Sequence, residues 1–204
     1  MVVAGLTGSI ATGKSTVSEF MREAGAVIID ADRIAHDVVK QGLPAWQEIV
    51  AHFGREILQA DGEIDRVRLG DIIFRNPDEK AVLNRIVHPH VFQEMAVQLE
   101  RIQSETPRAV VLLDVPLLIE SKMHDNLADV IVVYVPEHIQ LERLMRRDGL
   151  AEADARFRIE SQMPIEEKKG LASIVIDNSG SLDDTRRQTL DAYRRLKEKE
   201  GRGL

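Results

Sequence analysis

Five short apolar runs recur along the chain: Val2-Val3-Ala4-Gly5-Leu6, Val27–Ile29, Ala109–Leu113, Val130–Val135 and Ile174–Ile176. They are rich in β-branched residues and show no alternating polar positions, the pattern of strands covered on both faces. Between them apolar residues return at helical spacing, as in Val17, Phe20 and Met21 or Leu141, Leu144 and Met145, so strands and helices alternate. Alternation of this kind needs crossover connections, and it predicts a three-layer α/β/α fold around a five-stranded parallel sheet.

The alternation is interrupted twice. From Asp32 to Pro107 no strand pattern occurs, only helical segments around Ala45–Phe53, Arg66–Phe74 and Glu79–Ile102, far more chain than one crossover helix needs. From about Glu137 to Gly170 a second helical stretch, rich in arginine, is broken at Gly149 and Pro164, residues that end helices. The expected organisation is a core of residues 1–31, 107–136 and 171–204, a helical insertion over 32–106 and a lid over 137–170. Leu182–Glu200 reads as an amphipathic helix with Leu190, Tyr193 and Leu196 inward and the pairs Arg186-Arg187 and Arg194-Arg195 solvated, and Gly201-Arg202-Gly203-Leu204 should fray. Trp46 reads either as core of the insertion or as a ring that stacks on a purine.

Composition narrows the function classes. A chain of 204 residues fits one core domain with insertions. A formal charge of −7 argues against broad nucleic-acid binding, which relies on many surface cations. The absence of cysteine excludes disulfides, thiolate metal sites and a cysteine nucleophile, and it fits a reducing compartment. No apolar stretch approaches the roughly 20 residues that span a bilayer, and the first run has no basic leader. A cytoplasmic protein with small-molecule partners and no membrane partner is expected.

The first run leads directly into Gly8-Ser9-Ile10-Ala11-Thr12-Gly13-Lys14-Ser15, a complete G-x-x-x-x-G-K-[ST] motif. Gly8 and Gly13 allow close backbone approach, so successive N–H groups can converge on phosphate oxygens. Lys14 brings a cation to the outer phosphates, Ser15 offers a hydroxyl to Mg²⁺, and the helix that begins near Gly13 adds its positive end. The segment Gly8, Ser9, Ile10, Ala11, Thr12, Gly13, Lys14, Ser15 and Thr16 is the expected nucleotide-binding loop, with ATP and Mg²⁺ as its ligands. The alternative, a chance glycine turn, does not need the strand before it and the helix after it. The predicted sheet is thus that of a P-loop NTPase with substrate-binding and lid insertions.

The second strand ends in Asp30-Ala31-Asp32, at the same sheet edge as the loop. A carboxylate there can accept the proton of an attacking hydroxyl; Asp32 is the candidate base and Asp30 its competitor. Either could instead cap the following helix. Asp114 closes the third strand, where a carboxylate orients Mg²⁺ through its water shell, or else merely starts the turn at Pro116. Arg143, Arg146 and Arg147 stand at i, i+3 and i+4 and share a helix face that could close on a transferring phosphoryl group, with Arg156 and Arg158 following. The plainer reading pairs them with Glu142 or Asp148.

Over nearly its whole length the chain resembles the dephospho-coenzyme A kinases. The similarity lies in Gly5–Ser15, Asp30-Ala31-Asp32, Asp65-Arg66-Val67-Arg68-Leu69-Gly70, Ile86-Val87-His88-Pro89, Asp114-Val115-Pro116-Leu117-Leu118-Ile119-Glu120 and Val175–Gly180. It implies ATP-dependent phosphorylation of the ribose 3′-hydroxyl of dephospho-CoA. It further implies Asp32 as base, an acceptor site in the insertion with Arg66, His88 and Pro89, and Asn178 at the adenine pocket. Thr7 and Leu117 complete the expected acceptor set. By spacing alone His88 could cap a helix before Pro89, and Asn178 could be a turn residue before Gly180. The family commonly has glycine where this chain has Ser9 and Ala11, Phe where it has Ile119, and an acid where it has Asn84. Two other readings share the loop: a different small-metabolite or nucleoside monophosphate kinase, and a regulatory NTPase, for which no Asn-Lys-x-Asp guanine motif is present.

Overall fold

The computed structural model describes residues 1–201; of the fraying expected over 201–204, Gly201 instead closes the last helix, and 202–204 lie outside the described residues. The five apolar runs form β1 (Val2–Gly8), β2 (Val27–Asp30), β3 (Val110–Asp114), β4 (Val130–Tyr134) and β5 (Ile174–Asp177). Their order in the sheet is β2-β3-β1-β4-β5. Val2 stands opposite Val110, Gly5 opposite Val130 and Ile131 opposite Ile174, all in parallel register. Every residue of β3 and β4 is buried, which is why these runs carry no polar alternate. The chain moves to one side of β1 for β2 and β3 and to the other for β4 and β5, so the crevice at the carboxyl end of β1 is the switch point where ligands bind such sheets.

By internal contacts the chain divides into two units, Met1–Ile29 with Ile102–Leu204, and Asp30–Arg101. The first unit holds α1 (Lys14–Glu23), α6 (Glu137–Asp148), α7 (Glu152–Glu160), α8 (Ile165–Gly170) and α9 (Leu182–Gly201) around the sheet. Its core joins Leu6, Leu112, Ile131 and Val133 of the sheet to Val17 and Met21 of α1 and to Ala192 and Leu196 of α9. The breaks in the lid stretch fall at Gly149, which caps α6 with φ 67, and at Pro164, which caps α8. The buried row of α9 is Thr185, Thr189, Ala192 and Leu196; Leu190 and Tyr193 are only partly covered. The threonines can lie inside because their hydroxyls are satisfied, Thr189 donating to the Thr185 carbonyl at 2.8 Å. Arg195 is exposed as expected, but the other three arginines are more than solvated. Arg186 pairs with Glu23 at 2.7 Å and lies over the Phe20 ring, Arg187 pairs with Asp184 and Arg194 with Asp191.

The second unit has its own core of Ile49, Phe53, Ile57, Ile64 and Leu69, built from α3 (Pro44–Phe53), α4 (Arg66–Arg75) and the chain between them. Trp46 packs against this core, and its indole N–H donates to the Gly62 carbonyl at 3.1 Å, the core reading of that residue. A single helix, α5 (Pro77–Glu105), replaces the expected Glu79–Ile102 and runs through Pro89. His88 therefore caps nothing. The missing N–H of Pro89 and its ring cost an interior helix about 3 kcal/mol, which the apolar face formed by Leu83, Ile86 and Val87 against the core offsets.

Candidate active site

The loop between β1 and α1 is built to leave room for an anion. Gly13 caps α1 at φ 88, and a Cβ there would run into the Asn178 amide nitrogen. A Cβ on Gly8 would stand 2.6 Å from the Thr12 hydroxyl and 3.0 Å from the Val133 carbonyl. Thr12 is fully buried and folds the loop on itself, donating its N–H and its hydroxyl to the Ser9 carbonyl at 3.2 and 2.8 Å. Ala11 holds φ 62, the left-handed region in which glycine is at ease. The first turn of α1 contains no acid, so its positive end is not neutralised by its own residues.

Lys14 and Asp114 meet across this loop: the ammonium pairs with Oδ1 of Asp114, the last residue of β3, which is 5% exposed. Ser15 is exposed in the first turn of α1 and Thr16 is half-buried. Just past β5 the buried Asn178 closes the back of the loop, its Nδ2 donating to the Thr12 carbonyl at 2.7 Å while its Oδ1 accepts from the Thr185 hydroxyl at 2.8 Å. Its own carbonyl accepts from Arg143 at 2.9 Å. Thr7 is fully buried and donates to the Pro116 carbonyl at 2.9 Å, whereas Leu117, one residue on, is 47% exposed.

The three arginines of α6 share the helix but not their contacts. Arg143 turns to the Asn178 carbonyl. Arg147 pairs with its neighbour Asp148 at 2.7 Å, and Asp148 also receives Arg158 at 3.2 Å. The hydrogen bond from Arg147 holds the Asp148 carboxyl below the usual carboxylate range. Arg146 is exposed on the same helix, and Arg156 is engaged by Glu152 at 2.7 Å.

In the second unit the capping question at Asp30-Ala31-Asp32 resolves. The Asp30 carboxylate accepts from the Arg33 N–H at 3.0 Å and caps α2 (Ala31–Asp37), and Asp32 sits exposed in the first turn. Arg66 opens α4 behind its cap Asp65 and lines a cleft of about 390 Å³ with His36, Lys40, Asp61 and Glu63. His88 and Pro89 lie exposed on α5 outside that cleft, with the His88 ring 6.0 Å from Phe92.

Three residues around the loop had no sequence signal. Lys168 of α8 is fully buried, paired with Glu120 at 2.7 Å, and Glu120 also accepts from the Met163 N–H at 3.3 Å. Gln162, in the turn before α8, accepts from the Ile10 N–H at 2.8 Å. Glu120 stands in a motif that carries the resemblance, but nothing in the pattern assigns it a partner. A lysine that follows two acids on a polar helix reads as surface.

The profile of the dephospho-CoA kinase family matches residues 2–184. A curated dephospho-CoA kinase of Carboxydothermus hydrogenoformans is 48% identical over 198 residues, 97% of this chain and 96% of the relative. A crystal structure of a Thermus thermophilus protein superposes with TM-score 0.81 at 31% identity, covering 95% of this chain and 96% of its own. A dephospho-CoA kinase structure from Campylobacter jejuni gives TM-score 0.74 at 32% identity, covering 97% and 98%.

Proposed function

The chain belongs to the dephospho-CoA kinase family, and from that premise we propose a role for each part of its site. The reaction is ATP-dependent phosphorylation of dephospho-CoA on the ribose 3′-hydroxyl, giving coenzyme A and ADP, the last step of coenzyme A synthesis. The observation that carries the catalytic reading is the phosphate loop, with its uncompensated helix end and a lysine poised on Asp114.

In our reading the loop from Gly8 to Thr16 takes the phosphate oxygens through amides not already bonded within it, as that of Thr12 is to Ser9, and the Lys14 ammonium exchanges Asp114 for the outer phosphates as nucleotide enters. Asn178 supports the adenine end by holding the loop at Thr12. Asp32 accepts the proton of the attacking hydroxyl; that Asp30 already serves as the helix cap favours Asp32 for this task. Arg143, Arg146 and Arg147 of the lid, residues 137–170, offset charge on the transferring group; Arg143 leaves the Asn178 carbonyl and Arg147 leaves Asp148 to do so, while Arg146 is already exposed. The insertion over 32–106 binds dephospho-CoA, with Arg66, His88 and Pro89 in the acceptor set and Thr7 and Leu117 contributed by the core.

Ser15 and Asp114 offer hard oxygen donors that suit Mg²⁺. Among the described residues no cluster of three His, Cys, Asp or Glu side chains could hold a metal, so the ion would draw its remaining ligands from phosphate and water. Bound there, it would neutralise phosphate charge. Cytoplasmic residence belongs to the same reading, supported by the cysteine-free composition. Among the described residues no helix is long and apolar enough to cross a membrane. A coupled assay with ATP, Mg²⁺ and a panel of acceptors tests the assignment: dephospho-CoA should be the preferred acceptor, and turnover of nucleoside monophosphates with none of dephospho-CoA would overturn it.

A further inference from the structure

Ile10 lies in the loop whose N–H groups, in the reading above, are presented to an anion. Here its N–H is held by a side chain from the far end of the sequence, the Gln162 carboxamide, whose Oε1 accepts at 2.8 Å. A backbone N–H donates, so the group facing it must be the oxygen end of the amide.

Gln162 is not carried on a loose loop. Its own N–H donates to the Ile159 carbonyl at the end of α7, and the next residue, Met163, donates to Glu120 at 3.3 Å. Glu120 is itself pinned by the fully buried Lys168 at 2.7 Å, and Lys168 reaches the Pro116 carbonyl beyond β3. The turn between α7 and α8 is thus anchored to the segment that follows β3, and from that anchor one half-buried side chain reaches the loop.

One N–H makes one good linear hydrogen bond, so a phosphate oxygen and Gln162 Oε1 compete for Ile10. A carboxamide has a second end. Its terminal torsion is soft and roughly two-fold, and turning it presents Nε2 as a donor where Oε1 was an acceptor. We propose that Gln162 is a phosphate-exchanging residue of the nucleotide site: its oxygen occupies the Ile10 amide before nucleotide binds, and its nitrogen donates to the incoming phosphate afterwards. The turn before α8 therefore registers whether the loop is filled. This inference rests on the phosphate-loop reading above and adds to it a ligand contact from the lid side.

The discriminating variant is Gln162→Glu, which matches the side chain in shape, keeps an acceptor for Ile10 and carries a charge that repels phosphate. Binding of a non-hydrolysable ATP analogue, measured calorimetrically, should weaken about tenfold or more at pH 7.5, the scale of a hydrogen bond to a charged group. The deficit relative to wild type should shrink as the pH is lowered toward 5, because a protonated carboxyl can donate as the amide does. Gln162→Ala, which removes competitor and donor together, should lose less than Gln162→Glu. Thermal melting of both variants close to that of wild type would place the effect in binding rather than in folding. Wild-type affinity in Gln162→Glu at pH 7.5, or equal pH-independent losses in both variants, would overturn the inference. A wild-type protein that binds the analogue but leaves dephospho-CoA unphosphorylated would overturn the acceptor assignment and leave the Gln162 comparison standing.

Discussion

At the scale of single residues, Ala11 pays for its place in the loop. An L-residue at φ 62 costs about 1 kcal/mol relative to glycine, so Ala11→Gly should stabilise the protein by roughly that amount, a rise of about 2–4 °C in melting temperature for a chain of this size. Asp32→Asn should keep ATP binding and lower phosphoryl transfer by roughly 10²-fold or more, because the amide cannot take the proton; near-normal turnover would remove Asp32 as base. The loop was legible in the sequence because its chemistry is local, glycines and lysine at fixed offsets on one turn. Gln162 was not, since its partner Ile10 lies 152 positions away and a glutamine after a serine in a turn carries no mark of what it will reach.

Among elements, the strands were readable because burial on both faces leaves an unbroken apolar run, and all five were found within two residues of their ends. Helix α5 was read short at both ends. Its interior proline suggested a boundary near His88, but packing of Ile86 and Val87 against the second core overrides that local signal. Helix α8 was visible only through its breaks, and what seats it is tertiary. The Tyr134 hydroxyl donates to Glu166 at 2.5 Å and Lys169 stands 4.0 Å over the same ring. That hydrogen bond, with burial of the ring, pushes the Tyr134 phenol up to about 12 from its ordinary value near 10. The stabilisation is fully present below the unfolded value and is lost as pH rises from 10 toward 12. Urea denaturation across that interval should show the decline in the wild type, and Tyr134→Phe should lack this component and lose about 1 kcal/mol at neutral pH. The Lys168–Glu120 pair fixes the same helix from its other face. Removing Lys168 alone strands a largely buried carboxylate and should cost about 3 kcal/mol, whereas Lys168→Met combined with Glu120→Gln should recover much of the loss.

For the whole molecule, the order β2-β3-β1-β4-β5 brings the phosphate loop, Asp114 and Asn178 to the carboxyl ends of three strands, and those places were legible in the sequence because each follows directly on an apolar run. The proposed acceptor residues come from resemblance rather than from pattern, since Arg66 opens an ordinary amphipathic helix and His88 lies within a long one, where either is equally a structural residue. The loop and the fifth strand meet in one volume, for the Asn178 amide fills the space that a Cβ at position 13 would need. A side chain added at position 13 therefore requires room to be made at position 178. In a selection for revertants of Gly13→Ala, second-site changes should appear first at position 178, and toward smaller side chains, making this distant pair a single heritable unit.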